Sequence, residues 1–286
     1  MQIENTIVQG DCIKVLKELL AGNDGEGFAD LIFADPPFNI GYEYDSYEDK
    51  VDYKDYIEWT RAWMQRCQDA LRDHGSLWVA IGDDYAAEVR LIGRDLGLTL
   101  RNWIIWYYTF GQHTKRKFSR SHTHILYFVK NKKDFIFNDM EVRVPSARQT
   151  TYNDKRADSR GKLPDDTWIL RPAELDEGFK ADDDTWCFSR VCGTFKERTG
   201  FHGCQMPEKL LERIIKVATH PGDLVLDPFS GSGTTVTVAA QLSRRYLGID
   251  LSKNYVKEGL QRLQDEKNLF NLDTPSPASK KQKQPL

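Results

Sequence analysis

The chain has 286 residues, 40% hydrophobic and 29% charged, with a formal net charge of −3. That suffices for one large α/β domain or a domain carrying an inserted module, and the apolar content excludes a wholly disordered chain. No apolar run approaches membrane-spanning length, the start at Met1 lacks the regions of a signal peptide, and the charge balance excludes a uniformly basic surface, so a soluble, cytoplasmic protein is expected whose basic patches are local.

In chain order, Ile3 to Val8 reads as a strand, followed by Gly10-Asp11-Cys12 and a helix carrying Ile13, Leu16, Leu19 and Leu20 at helical spacing. After a polar, glycine-containing loop, Ala29 to Ala34 has the length and composition of a buried parallel strand. It ends in Asp35-Pro36-Pro37-Phe38. Successive prolines lack N–H groups and fix φ, which frees their carbonyls from a sheet ladder. A carboxylate, rigid carbonyls and an aromatic face together suit a flat, hydrogen-bond-donating amine such as the exocyclic NH₂ of a nucleobase. An ordinary strand-ending turn is the alternative.

Several tyrosines, Tyr42 to Tyr56, follow among acidic residues in a loop expected to lie over that site, before a helix around Lys54 to Leu71 broken by Gly75. Ser76 to Ile81, Leu98 to Tyr108, Ile125 to Val129 and Phe135 to Phe137 are strand candidates, with a helix at about Tyr85 to Leu96. The segment Gly111 to His122 holds His113, Lys115, Arg116, Lys117 and Arg120, cations that can track phosphates. Its histidines, and His124, read as structural or surface groups without an identifiable partner. From about 138 to 200 periodicity fades and Arg, Trp and acidic clusters intersperse, which marks an insertion. Five cysteines without a Cys-x-x-Cys pair, among them Cys187, Cys192 and Cys204 near His202, imply reduced thiols and no metal site. A helix with apolar Leu210, Leu211, Ile214 and Ile215 begins near Pro207.

Gly222 to Leu226 then leads into Asp227-Pro228-Phe229-Ser230-Gly231-Ser232-Gly233-Thr234-Thr235 and a helix, and the next strand, Arg245 to Ile249, ends at Asp250. Glycines permit close backbone approach and a helix amino terminus favours a carboxylate, while Asp250 is placed as an acceptor for paired ribose hydroxyls. A dinucleotide is the rival ligand. The turn lacks the Gly-x-Gly-x-x-Gly spacing and begins with an acid that would repel pyrophosphate, so a zwitterionic amino acid carrying a nucleoside, such as S-adenosylmethionine, fits better.

Together, Asp35 to Phe38, Pro207-Glu208-Lys209-Leu210 and the Asp227 to Thr235 loop resemble DNA amino-methyltransferases of the beta arrangement, in which the catalytic motif precedes the cofactor motif. The resemblance implies a Rossmann-like α/β fold, a mostly parallel sheet with helices on both faces. It divides the chain into a catalytic half (1–137), a target-recognition insertion (138–200), a cofactor-binding half (201–270) and a disordered tail (271–286). It assigns Asp35, Pro36, Pro37 and Phe38 to catalysis, and Asp11, Lys209, Asp227, Phe229, Gly231, Gly233, Thr234 and Asp250 to S-adenosylmethionine. Double-stranded DNA is the expected partner, with scope for a homodimer and a companion restriction endonuclease. The acid at position 35 resembles the adenine-N6 enzymes, whereas cytosine-N4 enzymes more often carry Ser there. Cytosine N4, an RNA base, a protein amide, or an inactive nucleic-acid-binding relative are the alternatives.

Overall fold

The computed structural model describes residues 5–112, 116, 118–150, 152–167, 185–191, 198–200 and 204–272. Seven strands form one sheet: β1 (Thr6–Gln9), β2 (Ala29–Ala34), β3 (Leu71–Ile81), β4 (Thr99–Gln112), β5 (Arg120–Val129), β6 (Leu224–Asp227) and β7 (Arg245–Asp250), in spatial order β1-β7-β6-β2-β3-β5-β4. The first five in that order are mutually parallel, and β5 runs antiparallel to both β3 and β4. Helices are α1 (Cys12–Ala21), α2 (Tyr53–Ala70), α3 (Ala86–Asp95), α4 (Ala147–Thr150), α5 (Glu208–Ala218), α6 (Thr234–Gln241) and α7 (Lys253–Leu272). Among the described residues no helix is long and apolar enough to cross a membrane.

All six residues of β2 are buried because helices cover both faces of the sheet. Ile32 and Ala34 point to a layer with Leu16, Trp63, Met64, Val89 and Ile92 from α1, α2 and α3. Leu31 and Phe33 point to the opposite layer with Leu211, Ile214, Val236 and Leu263 from α5, α6 and α7. Alternation along one strand thus serves two cores, which is why Leu31 to Ala34 form a continuous apolar run. Buried Asp30 joins the two halves of the chain: it accepts the Leu224 N–H at 2.7 Å and faces His74 Nε2 at 2.8 Å.

Three expectations change. Helix α2 stops at Ala70 and the chain passes directly into β3, so Gly75 lies inside a strand. The β2–β3 register jumps from Ala29↔Leu71 to Leu31↔Ser76, and a Cβ at position 75 would approach the Ala29 and Arg72 carbonyl oxygens to 3.0 Å. The glycine therefore serves a bulge rather than a helix end. Phe135 to Phe137 form no strand; Ile136 N–H reaches the His74 carbonyl at 3.4 Å, and the next residue to bond, Asn138, donates to Val217. Finally, β4 is longer than the aromatic pattern indicated, and its outer edge is not open. Tyr107 bridges Cys187, and Ile105 N–H donates to the Asp166 carbonyl, so backbone at 166 and 186–188 shields an edge that would otherwise present unpaired donors. The tail beyond 272 lies outside the described residues.

Candidate active site

The chemistry-bearing residues gather at the carboxyl ends of the parallel strands. In the order β1, β7, β6, β2 these ends deliver Asp11, Asp250, Asp227 and Asp35, because parallel neighbours finish on the same side of the sheet. The Asp227 loop is held by its own backbone: Phe229 N–H donates to Asp227 Oδ1 at 3.0 Å, Ser230 N–H to the Ile249 carbonyl at 2.8 Å, and Gly231 N–H to Asp250 Oδ2 at 2.8 Å. Gly231 and Gly233 have φ of 48° and 72°, the left-handed region that side chains disfavour. Asp250 also takes the Ser252 N–H at 2.8 Å, so each of its oxygens has one protein donor and retains a lone pair. Asp11 caps α1, accepting from Ile13 and Lys14. The Phe229 ring meets Trp63 edge-on at 5.3 Å, forming a wall rather than a free stacking surface.

These residues line a cleft of about 940 Å³ including its mouth. Among the described residues its lining contains Asp11, Asp35, Asp227 and Asp250 and no lysine, arginine or histidine. Burial, reinforced by Asp227 and opposed by Arg190, pushes the Asp35 carboxyl up to about 7. Burial likewise raises Asp227 to about 7, against hydrogen bonds from Thr235 and the Phe229 amide, and raises Asp250. A second cavity of about 1,020 Å³, also counted to its mouth, is lined by Pro36, Phe38, Trp106, Tyr108 and Arg190 among others. Asp35, Tyr44, Cys204 and Met206 border both cavities. The Phe38 ring lies against Gly82, where a Cβ would come within 3.2 Å of it. Tyr56 donates its hydroxyl to the Pro37 carbonyl at 2.6 Å, whereas among the described residues no hydrogen bond reaches the Pro36 carbonyl.

The tyrosine-rich loop spans the cleft. Tyr44, Ser46 and Tyr47 contribute to its lining, Tyr47 packs on Trp59, and Asp45 accepts a hydrogen bond from the Ser252 hydroxyl. Burial raises the Cys204 thiol, a shift that Tyr42 and Tyr44 oppose.

Not every predicted site residue joins this assembly. Lys209 is exposed on α5 and lines a separate groove with Glu141 and Arg213. His113, Lys115 and Lys117 lie outside the described residues, and Arg116 is exposed. Arg120 lines the second cavity and is paired there with Asp83 at 2.7 Å and Asp84 at 3.1 Å. Of the histidines expected to lack a partner, the two among the described residues face Asp83, His122 at 3.1 Å and His124 at 2.9 Å. This trio has the donor types of a metal site, but Trp103 Nε1 lies 2.9 Å from His124 Nδ1. An indole N–H only donates, so Nδ1 accepts, the ring proton sits on Nε2, and Nε2 donates to Asp83 instead of offering a lone pair to a metal. Burial and the neighbouring His122 also hold His124 below the ordinary histidine range.

The sequence places Tyr44 only broadly, in a loop over the site, and assigns no site role to Arg190, Cys204 or Arg262. The last spans Glu208 at 2.6 Å, Thr234 Oγ1 at 3.0 Å and the Ser232 carbonyl at 3.2 Å, clamping the glycine loop to α5. Its only signal was its place among Val256, Leu260 and Leu263, the apolar spacing of a helix that had not been marked.

Residues 29–261 match the family model for DNA methylase of the N6/N4 type. Over 270 residues the chain is 34% identical to Type II methyltransferase M.HpaI of Haemophilus parainfluenzae, covering 94% of this chain and 77% of that protein. It is 32% identical to DNA adenine methyltransferase YhdJ of Escherichia coli (strain K12), covering 90% and 82%. Among solved structures, the M1.HpyAVI–SAM complex matches with a TM-score of 0.60 at 22% identity, covering 90% of this chain and 98% of that one. PvuII DNA methyltransferase (cytosine-N4-specific) matches at 0.62 and 17% identity, covering 93% and 90%. Both share the fold.

Proposed function

Because this chain belongs to the N6/N4 family of DNA methyltransferases, we propose that it uses S-adenosylmethionine to methylate the exocyclic N6 of adenine in double-stranded DNA. The observation that carries the reading is the position of Asp35 at the junction of two cavities, one acidic and one aromatic. A cleft lined by four aspartates and, among the described residues, by no cationic side chain fits a ligand bearing ammonium and sulfonium charges, and disfavours the pyrophosphate of a dinucleotide. Asp227 answers the ammonium, the amides at the amino end of α6 the carboxylate, and Asp250 the ribose hydroxyls; Asp11, Phe229 and Thr234 complete the walls. When bound, the ligand supplies an electrophilic methyl group.

The neighbouring cavity takes the target base, extruded from the duplex at a cost of a few kcal/mol and repaid by stacking on Phe38. Its amine donates one hydrogen to the Asp35 carboxylate and one to the Pro36 carbonyl; Tyr56 occupies the Pro37 carbonyl, leaving Pro36 as the acceptor. Both acceptors draw the nitrogen lone pair out of conjugation, and most of the rate gain comes from holding it in attacking position. The Asp35 carboxylate, with its raised proton affinity, takes the proton that the methylated amine sheds. Residues 138–200 serve as the target-reading part, continuous with the β4 edge.

The acid at position 35 supports adenine over cytosine, as does the likeness to an adenine methyltransferase. Nucleoside mass spectrometry of DNA treated with the purified protein and S-adenosylmethionine tests this. N6-methyladenine is expected; N4-methylcytosine would overturn the base assignment, and no methylated base would overturn the enzyme.

A further inference from the structure

The turn that leaves the sheet at Asp35 has no ladder to hold it, yet it must keep two acceptors in place. Its support comes from a buried aspartate well outside the motif. Asp49 accepts the Asn39 N–H at 2.7 Å on Oδ1, and the Ile40 and Tyr42 N–H groups at 3.2 and 2.9 Å on Oδ2; its own carbonyl takes the Gly41 N–H at 2.6 Å. Four consecutive amides after Phe38 are thereby gathered by one residue. Asn39, forced into the left-handed region at φ 57°, completes the frame: its side chain exchanges hydrogen bonds with the Val51 backbone and donates to Tyr85 Oη at 2.7 Å. Tyr85 packs against Tyr56 at 4.3 Å between centroids, and Tyr56 holds the Pro37 carbonyl.

We infer that Asp49 is a positioning residue for methyl transfer, its carboxylate fixing the Phe38–Tyr42 backbone and through it the Asp35 and Pro36 acceptors. The inference rests on the methyltransferase reading above and goes beyond it, since Asp49 lines neither cavity and touches neither substrate. Only an acceptor on both oxygens fits: an Asn amide would turn its NH₂ toward backbone donors. Asp49→Asn is therefore a disruptive change despite equal size.

The test compares steady-state methylation, S-adenosylmethionine affinity by calorimetry and DNA affinity by fluorescence anisotropy for the full chain, Asp49→Asn and Tyr56→Phe. A misplacement near 1 Å predicts a kcat loss on the order of 100-fold for Asp49→Asn, with both affinities within about threefold of the parent. Tyr56→Phe, which keeps the packed ring and removes only the bond to Pro37, should show a smaller loss of the same kind. It also carries the test if Asp49→Asn does not fold. Parental kcat in a folded Asp49→Asn, or in Tyr56→Phe where that alone folds, overturns the inference, as does a kcat loss matched by an equal loss of cofactor affinity. A parent protein that makes no methylated base instead overturns the functional reading on which the inference depends.

Discussion

Two buried carboxyls raised to about 7 in the unliganded protein should give methyl transfer an acid limb far above the ordinary carboxylate range. If only the Asp35 carboxylate is required, kcat/KM for S-adenosylmethionine, which reports the free enzyme, should fall about tenfold per pH unit below 7. If Asp227 must also be ionised to hold the ammonium, the slope approaches about 100-fold per unit. Asp227→Asn separates the cases: it removes the neighbour that raises Asp35, so the limb should move to lower pH with a slope of one, whatever happens to its height. In the saturated complex the sulfonium charge favours the Asp35 carboxylate, and kcat should turn down at lower pH than kcat/KM. Stability carries the opposite sign to the usual aspartate. Folded values above the unfolded one mean that the native protein binds more protons between about pH 4 and 7, so the contribution of these groups is present at low pH and lost as pH rises through 7. The unliganded protein should accordingly melt at a higher temperature near pH 6 than near pH 8, and Asp35→Asn should flatten that difference. Tritium transfer into DNA from pH 5.5 to 8.5 at constant ionic strength is the assay. A flat kcat/KM across pH 5.5 to 7.5 would refute the reasoning.

Asp250→Ala should weaken S-adenosylmethionine binding by about 1.5–3 kcal/mol, roughly 10- to 150-fold, through lost charge-assisted bonds, with little change in DNA affinity. Unaltered calorimetric affinity in a folded variant would remove Asp250 from the cofactor site. Arg262→Met should loosen the glycine loop, reducing cofactor affinity several-fold, and a double-mutant cycle with Glu208→Gln should return a coupling of at least about 0.5 kcal/mol. Strict additivity would show that the clamp contributes nothing.

The parts of the site that were legible in the sequence are those where local chemistry and strand ends coincide. An apolar run from Leu31 to Ala34 followed by Asp35 and two prolines announces both a buried strand and its end, and the glycines of the second loop announce the left-handed backbone found at 231 and 233. What stayed hidden depends on partners distant in sequence. Arg120, at the end of the basic run, is faced by Asp83 and Asp84 from the end of another strand, partners that no local pattern announces. Gly75 reads as a helix stop because a bulge has no local signature, and Phe135 to Phe137 read as a strand because aromatics pack equally well without a ladder. Nothing in the acidic tyrosine loop distinguishes Asp49 from its neighbours; only the direction of three amides does.

The strand order also sets a timetable for the molecule's birth. Thr6 of β1 pairs with Leu247 of β7, and β2 is flanked on one side by β6, with Asp30 waiting for the Leu224 amide. At roughly 5–20 residues per second on the ribosome, the first strand emerges some 10–50 s before its neighbour exists. Throughout that interval the apolar β2 edge is open, a hazard that calls for chaperone cover and delays all methylation until the last strand arrives. The same dependence means that dividing the chain within 138–200 would leave β1 and β2 in one piece without the β7–β6 pair that lies between them in the sheet.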